Sequence, residues 1–213
     1  MIGSIRQKYL CGDIAWRLTK EKHLFLTGAS GSGKTTLIRN ALGARLAYAG
    51  GYVTERALDA DGRLLGFDLL PAAAAAGIEG FDAARFLDYT HEPPTSDNEV
   101  FRGEGVRLLK EAEFYPFTVM DEFGGFELII PQFREALLEV LNSELPCIGV
   151  LKGEQNGEEL RRSLGLGEKY SNYRRALRAA LDADPDTLVV DVSGRGDENA
   201  RRIVMQWASE YAV

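Results

Sequence analysis

"HLFLTGASGSGKTTLIRNAL", residues 23–42, decides how the chain folds. Residues 23–27 form a short, largely apolar run that stops at a glycine. Gly28 to Thr35 then have the spacing G-x-x-x-x-G-K-[ST], and "KTTLIRNALGARLAYA" continues with the pattern of a helix. Strand, glycine loop and helix in that order form a cradle for polyphosphate. Glycines let backbone N–H groups converge on phosphate oxygens because no Cβ blocks the approach. The helix that follows adds its N-terminal partial positive charge. The expected phosphate contacts are Gly28, Ala29, Ser30, Gly31, Ser32, Gly33, Lys34, Thr35 and Thr36. Lys34 is expected to neutralise the β- and γ-phosphates and the Thr35 hydroxyl to reach Mg²⁺.

A second stretch, "FTVMDEFGGFEL" at 117–128, supplies acidic groups. Its apolar start reads as a buried strand, and we expect that strand beside the loop strand. Asp121 at its end then becomes a ligand for Mg²⁺ or its bound water. Glu122, one residue on, would project differently and orient or deprotonate an attacking water. A solvated acidic strand end is the plainer alternative for both carboxylates.

Further elements follow from local pattern. "GYVTER" and "RLLGFDLL" flank "DADG" and read as a β-hairpin. Residues 71–100 mix Gly, Pro and helix formers and read as irregular surface structure. Helical spacing resumes through "EVFRGEGVRLLKEAE". "PQFREALLEVLNS" places Pro131 near a helix start and Phe133, Leu137, Val140 and Leu141 on one face. "PCIGVLK" and "TLVVDV" read as strands, "SNYRRALRAALDA" and "DENARRIVMQWASEYA" as helices. The alternation predicts one α/β domain over 1–213: a three-layer phosphate-loop fold, its mainly parallel sheet covered on both faces.

Composition narrows the function classes. The 213 residues carry a formal net charge of −7, which argues against binding a nucleic-acid backbone without a local basic patch. Two cysteines and two histidines lack metal-ligand spacing, so a zinc site is not expected. The longest apolar candidate, "LLPAAAAAGI", falls short of the ~20 residues of a membrane span. "MIGSIRQKYLCGDIAWRLTKEKH" alternates charged and apolar residues, unlike a secretory signal, so a cytoplasmic location is expected.

The glycine loop, "GYVTER…GRLLGFDLL" and "DEFGGFEL" together resemble the small P-loop nucleoside-triphosphatases related to human cancer-related nucleoside-triphosphatase. The shared signatures fall on Gly51, Tyr52, Thr54 and Glu55, on Gly66 and Phe67, and on Asp121, Glu122, Gly124, Glu127 and Leu128. The match is specific over roughly a third of the chain. It implies slow, Mg²⁺-dependent hydrolysis of ATP or another nucleoside triphosphate with broad base tolerance. The chain departs from the family pattern at Gly125 and Phe126, where Pro and Met are usual. The family's arginine after T-E falls near Leu58, so Arg56 is the nearest candidate for charge stabilisation, with Arg63 as a hairpin-covering alternative. Glu127 is a candidate for shaping its turn. "VSGRGDEN" only echoes the family's C-terminal segment, which makes Arg195 a candidate for nucleotide contact.

Other chemistries share the loop. A regulatory GTPase needs an N-K-x-D guanine reader, which is absent from the sequence. A small-metabolite kinase often closes a lid of arginines. Residues 153–182 hold Arg161, Arg162, Lys169, Arg174, Arg175 and Arg178, a possible lid or simply the wet face of a helix. With Tyr170 and Tyr173 the same segment offers stacking and charge for RNA, against the overall acidity. A nucleotide-dependent binding switch, with a protein partner unknown, is the non-enzymatic alternative.

Overall fold

The computed structural model describes residues 21–212; the reading of the first twenty residues lies outside them. Strand β1 (His23–Thr27) runs into the glycine loop and helix α1 (Lys34–Leu42). The hairpin is β2 (Ala49–Leu58) and β3 (Leu64–Pro71), followed by β4 (Ala84–Asp88) and β5 (Thr95–Ser96). Helical turns α2 (Asn98–Val100) and α3 (Val106–Glu111) lead to β6 (Phe117–Phe123), α4 (Pro131–Leu141) and β7 (Cys147–Leu151). Helices α5 (Glu154–Ser163) and α6 (Glu168–Ala183), strand β8 (Thr187–Asp191) and helix α7 (Glu198–Tyr211) complete the order.

The eight strands among the described residues join one sheet in the order β5-β4-β3-β2-β6-β7-β1-β8. The run from β2 to β8 is parallel, and β2 through β5 form an antiparallel meander. Each central strand presents alternate residues to two cores. On one face Leu24, Leu26, Val53, Val119, Ile148 and Val150 meet Ile38 of α1 and Trp207 of α7. Helix α7 reaches them because Ala200, Ile203, Val204, Trp207 and Ala208 recur at helical spacing. On the other face Phe25, Tyr52, Met120 and Phe123 pack with Phe101, with Phe133 of α4 and with Leu177 of α6. Phe101 is the centre of that aromatic core, 4.9 Å from Phe86, 5.0 Å from Phe133 and 5.6 Å from Phe126 between ring centroids.

Four expectations need correction. The Asp121 strand is not beside the loop strand, because β7 lies between β6 and β1. Gly149 makes that place habitable: it pairs with both Phe25 and Met120, and a Cβ there would lie 2.2 Å from the Met120 carbonyl oxygen. Residues 71–100 contain β4 and β5, whose short lengths and flanking Gly and Pro hid them. The helix expected from Lys34 ends at Leu42, where Gly43 takes φ 53 and a 3₁₀ segment Gly43–Tyr48 follows. The helical stretch after residue 98 is broken by a π segment, Phe101–Gly105.

The hairpin turn is as read. One Asp59 carboxylate oxygen accepts from the Asp61 and Arg63 amides at 2.9 and 2.8 Å.

Candidate active site

The site lies at the C-terminal ends of β1, β6 and β7. Gly28, Gly31 and Gly33 all take positive φ, and Gly33 precedes α1 with no side-chain cap on its first-turn amides. The first of these glycines is fixed by space as well as by angle. A Cβ on Gly28 would lie 2.7 Å from the Val192 carbonyl oxygen. Lys34 turns inward across the loop, its Nζ donating to Gly28 O at 3.0 Å, Ala29 O at 2.6 Å and Ser32 Oγ at 3.2 Å. Burial lowers the Lys34 pKa, while the negative charges of Glu122 and Asp121 oppose that shift.

Thr35 Oγ1 donates to Asp121 Oδ1 at 3.1 Å, joining positions 86 residues apart. The Asp121 side chain is almost fully buried. Burial pushes its carboxyl up to about 7; Glu122 and Glu55 add to the rise, against the Thr35 hydroxyl and Arg39. Arg39 itself is paired with Glu55 at 2.5 Å. A buried carboxylate beside a hydroxyl, its nearest guanidinium committed elsewhere, is a hard-oxygen donor set suited to Mg²⁺.

Glu122 pairs with Lys152 Nζ at 2.7 Å. Beyond it the chain turns at Gly124 and Gly125, and both amides donate to one oxygen of buried Glu127 at 2.7 Å. Burial raises the Glu127 pKa, and those amides oppose it. Glu127 therefore shapes the turn, as its position in "DEFGGFEL" suggests. Tyr170 Oη reaches the Gly124 carbonyl at 3.4 Å, binding the same turn to α6.

The candidate arginines separate. Arg195 Nε donates to Gly31 O at 3.3 Å, at the rim of the loop. Arg56 is exposed and shares the Tyr52 side of β2, whereas Val53 pairs with Asp121 and Glu55 meets α1. The structure thus brings the loop, Asp121 and Glu122 together but does not bring Arg56 to them. Arg63 is also exposed. In the basic segment, Arg174 donates to Lys152 O at 3.2 Å and Gly153 O at 2.9 Å. Arg161 pairs with Glu158, Arg178 with Asp182, and Arg175 donates to Asn172. Lys152 went unassigned in the sequence, and Glu55 was named there only as a shared signature residue. The signal for Lys152 was its place at the end of "CIGVLK", whose strand could not be located until the sheet order was known.

A glycine loop opening a helix, with Thr35 bonded to a strand-end aspartate, defines a P-loop nucleotide-binding domain. A family model described as NTPase matches residues 23–174, and the chain belongs to that family and is a nucleoside-triphosphatase enzyme. It is 32% identical over 132 residues to nucleoside-triphosphatase THEP1 of Thermotoga sp. strain RQ2, covering 61% of this chain and 73% of the relative. The THEP1 of Ignicoccus hospitalis is 29% identical over 170 residues, covering 75% and 95%. The solution structure of a human cancer-related nucleoside triphosphatase superposes with a TM-score of 0.58 at 22% identity, covering 88% of this chain and 95% of that one. THEP1 from Aquifex aeolicus gives 0.55 at 18% identity, covering 89% and 98%. These two structures share the fold. Among the described residues no helix is long and apolar enough to cross a membrane.

Proposed function

We propose that the chain hydrolyses nucleoside triphosphates, ATP among them, to diphosphate and phosphate, with Mg²⁺ dependence, slow turnover and broad base tolerance. The observation that carries this reading is the Thr35–Asp121 contact with Glu122 next in sequence. Mg²⁺ held by Thr35 Oγ1 and Asp121 would supply charge neutralisation on the β- and γ-phosphate oxygens. Lys34 exchanges its loop carbonyls for those oxygens, and the loop amides hold the remaining charge. Glu122 orients the attacking water and takes its proton as the water oxygen bonds to the γ-phosphorus. The bond from that phosphorus to the bridging oxygen breaks, leaving diphosphate and inorganic phosphate.

Slow turnover is supported by the exposed position of Arg56, since an arginine finger is worth about 10³–10⁵ in rate. Water as acceptor is supported by Arg161, which pairs with Glu158 inside α5, and by Arg174, which is turned to the Lys152 and Gly153 carbonyls. Broad base tolerance rests on the family resemblance and on a phosphate cradle built from backbone groups. Phosphate release across a panel of nucleotides, with Mg²⁺ and with chelator, tests the proposal. Activity undiminished by chelator would remove the metal from it. A phosphorylated metabolite as the main product would replace water as acceptor.

A further inference from the structure

Strand β7 stands between the two motif strands, so the residue at its exit points into the space between the glycine loop and Glu122. That residue is Lys152. Its backbone is fixed on both sides: its N–H donates to Phe123 O at 2.8 Å, and its carbonyl accepts from Arg174 Nη2 at 3.2 Å. The side chain runs over Gly125, where a Cβ would lie 3.2 Å from Lys152 Cε and 2.6 Å from Glu127 Oε2. Its Nζ ends 2.7 Å from Glu122 Oε2, with side-chain exposures of only 20% and 25% for the pair. Among the described residues Glu122 Oε1 takes no hydrogen bond from the protein, so it is the oxygen left for water. The ammonium's charge also acts on Lys34 and Glu127, which places it within the field of the site.

We propose that Lys152 is a positioning residue for hydrolysis, holding one oxygen of Glu122 so that the other faces the attacking water. This rests on the reading of Glu122 as the water-orienting base. A surface ion pair contributes little because two long side chains must be ordered for a screened attraction. Here the backbone clamp and the glycine beneath the stem have already restricted the lysine, so the bond fixes the carboxylate. The cation belongs to this chain, and Glu122 is held without a partner protein.

Phosphate release by Lys152→Met, Lys152→Arg, Glu122→Gln and the Glu122→Gln/Lys152→Met double variant tests the assignment. Lys152→Met is expected to lower kcat about 10- to 100-fold, the usual cost of losing a group that orients a reacting side chain. The nucleotide KM is expected to change much less than kcat, since the Lys152 ammonium is paired with Glu122. Lys152→Arg recovers most of the loss, and it carries the test alone if the methionine variant has no cooperative thermal transition. In the double variant, the second substitution costs nothing beyond Glu122→Gln. Wild-type kcat in Lys152→Met with a slow Glu122→Gln overturns this proposal alone. So does a double variant slowed by the product of both single effects, or a loss carried by KM. An arginine variant as slow as the methionine one is explained only if the cation is not what matters, and it overturns the proposal too. Wild-type activity in Glu122→Gln overturns the underlying reading of Glu122 and this proposal with it.

Discussion

Glu127 gives the sharpest prediction about the turn that carries Glu122. One of its oxygens accepts two amides, from Gly124 and Gly125, at 2.7 Å each in a buried setting. Hydrogen bonds to a charged group contribute about 1.5–3 kcal/mol each, and a buried amide left without a partner costs about 1–3 kcal/mol. These terms overlap, and burial, which raises the Glu127 pKa, offsets part of the gain. Glu127→Ala should therefore lose about 2–4 kcal/mol. At about 2–4 °C per kcal/mol for a chain of this size, the melting point falls by about 5–15 °C. Glu127→Gln keeps an acceptor oxygen for both amides and should stay within about 1 kcal/mol of wild type. Thermal and urea unfolding measure the stability, and phosphate release reads the turn. With Gly124 two residues after Glu122, the alanine variant should also lose kcat about 10-fold or more. Equal stability losses for Ala and Gln would refute the two-amide account.

Other consequences follow from the same geometry. Asp121 has a folded-state carboxyl at about 7 against an ordinary value of 3.8, so in metal-free buffer the folded state binds the extra proton and stability falls as pH rises between those values. Asp121→Asn should then stabilise the metal-free protein above pH 7, by up to roughly 4 kcal/mol in thermal or urea unfolding, while hydrolysis is lost. His23 has the opposite sign: burial, aided by Lys22, lowers its pKa below 6.5. The unfolded chain takes up the proton first, so stability falls as pH drops through about 6.5. Replacement by leucine should flatten that acid limb in melts recorded between pH 7 and 5. Arg195→Ala should raise the nucleotide KM several-fold through the loop rim, about 3- to 10-fold by the loss of one charge-assisted contact. Arg56→Ala should change turnover less than about twofold, being exposed and on the face of β2 opposite Val53, which pairs with Asp121.

The phosphate loop was legible because its chemistry needs several residue types at fixed spacing, and strand and helix flank it. Helices α4 and α7 were legible from their apolar spacing, and the hairpin from Asp59 and its neighbours. The place of β7 was not, because strand order in a parallel sheet depends on long crossovers and on side-chain bulk across strands. Gly149 between Phe25 and Met120 has meaning only once those neighbours are known. The same blindness concealed Lys152, whose partner lies 30 residues earlier. It also made Arg56 a candidate by proximity in sequence, though alternation along β2 carries it away from Asp121. Glu127 was readable as a turn-shaping residue, yet its two amide donors became visible only in the folded turn.

The central claim is that the loop and the strand end form one hydrolytic machine. Phosphate release from ATP with Mg²⁺, comparing wild type with Lys34→Ala and Glu122→Gln, tests it most directly. The account predicts slow wild-type hydrolysis, with turnover falling about 100-fold or more in each variant, since both act on the transferring group or its nucleophile. Folded variants that release phosphate at the wild-type rate would contradict it.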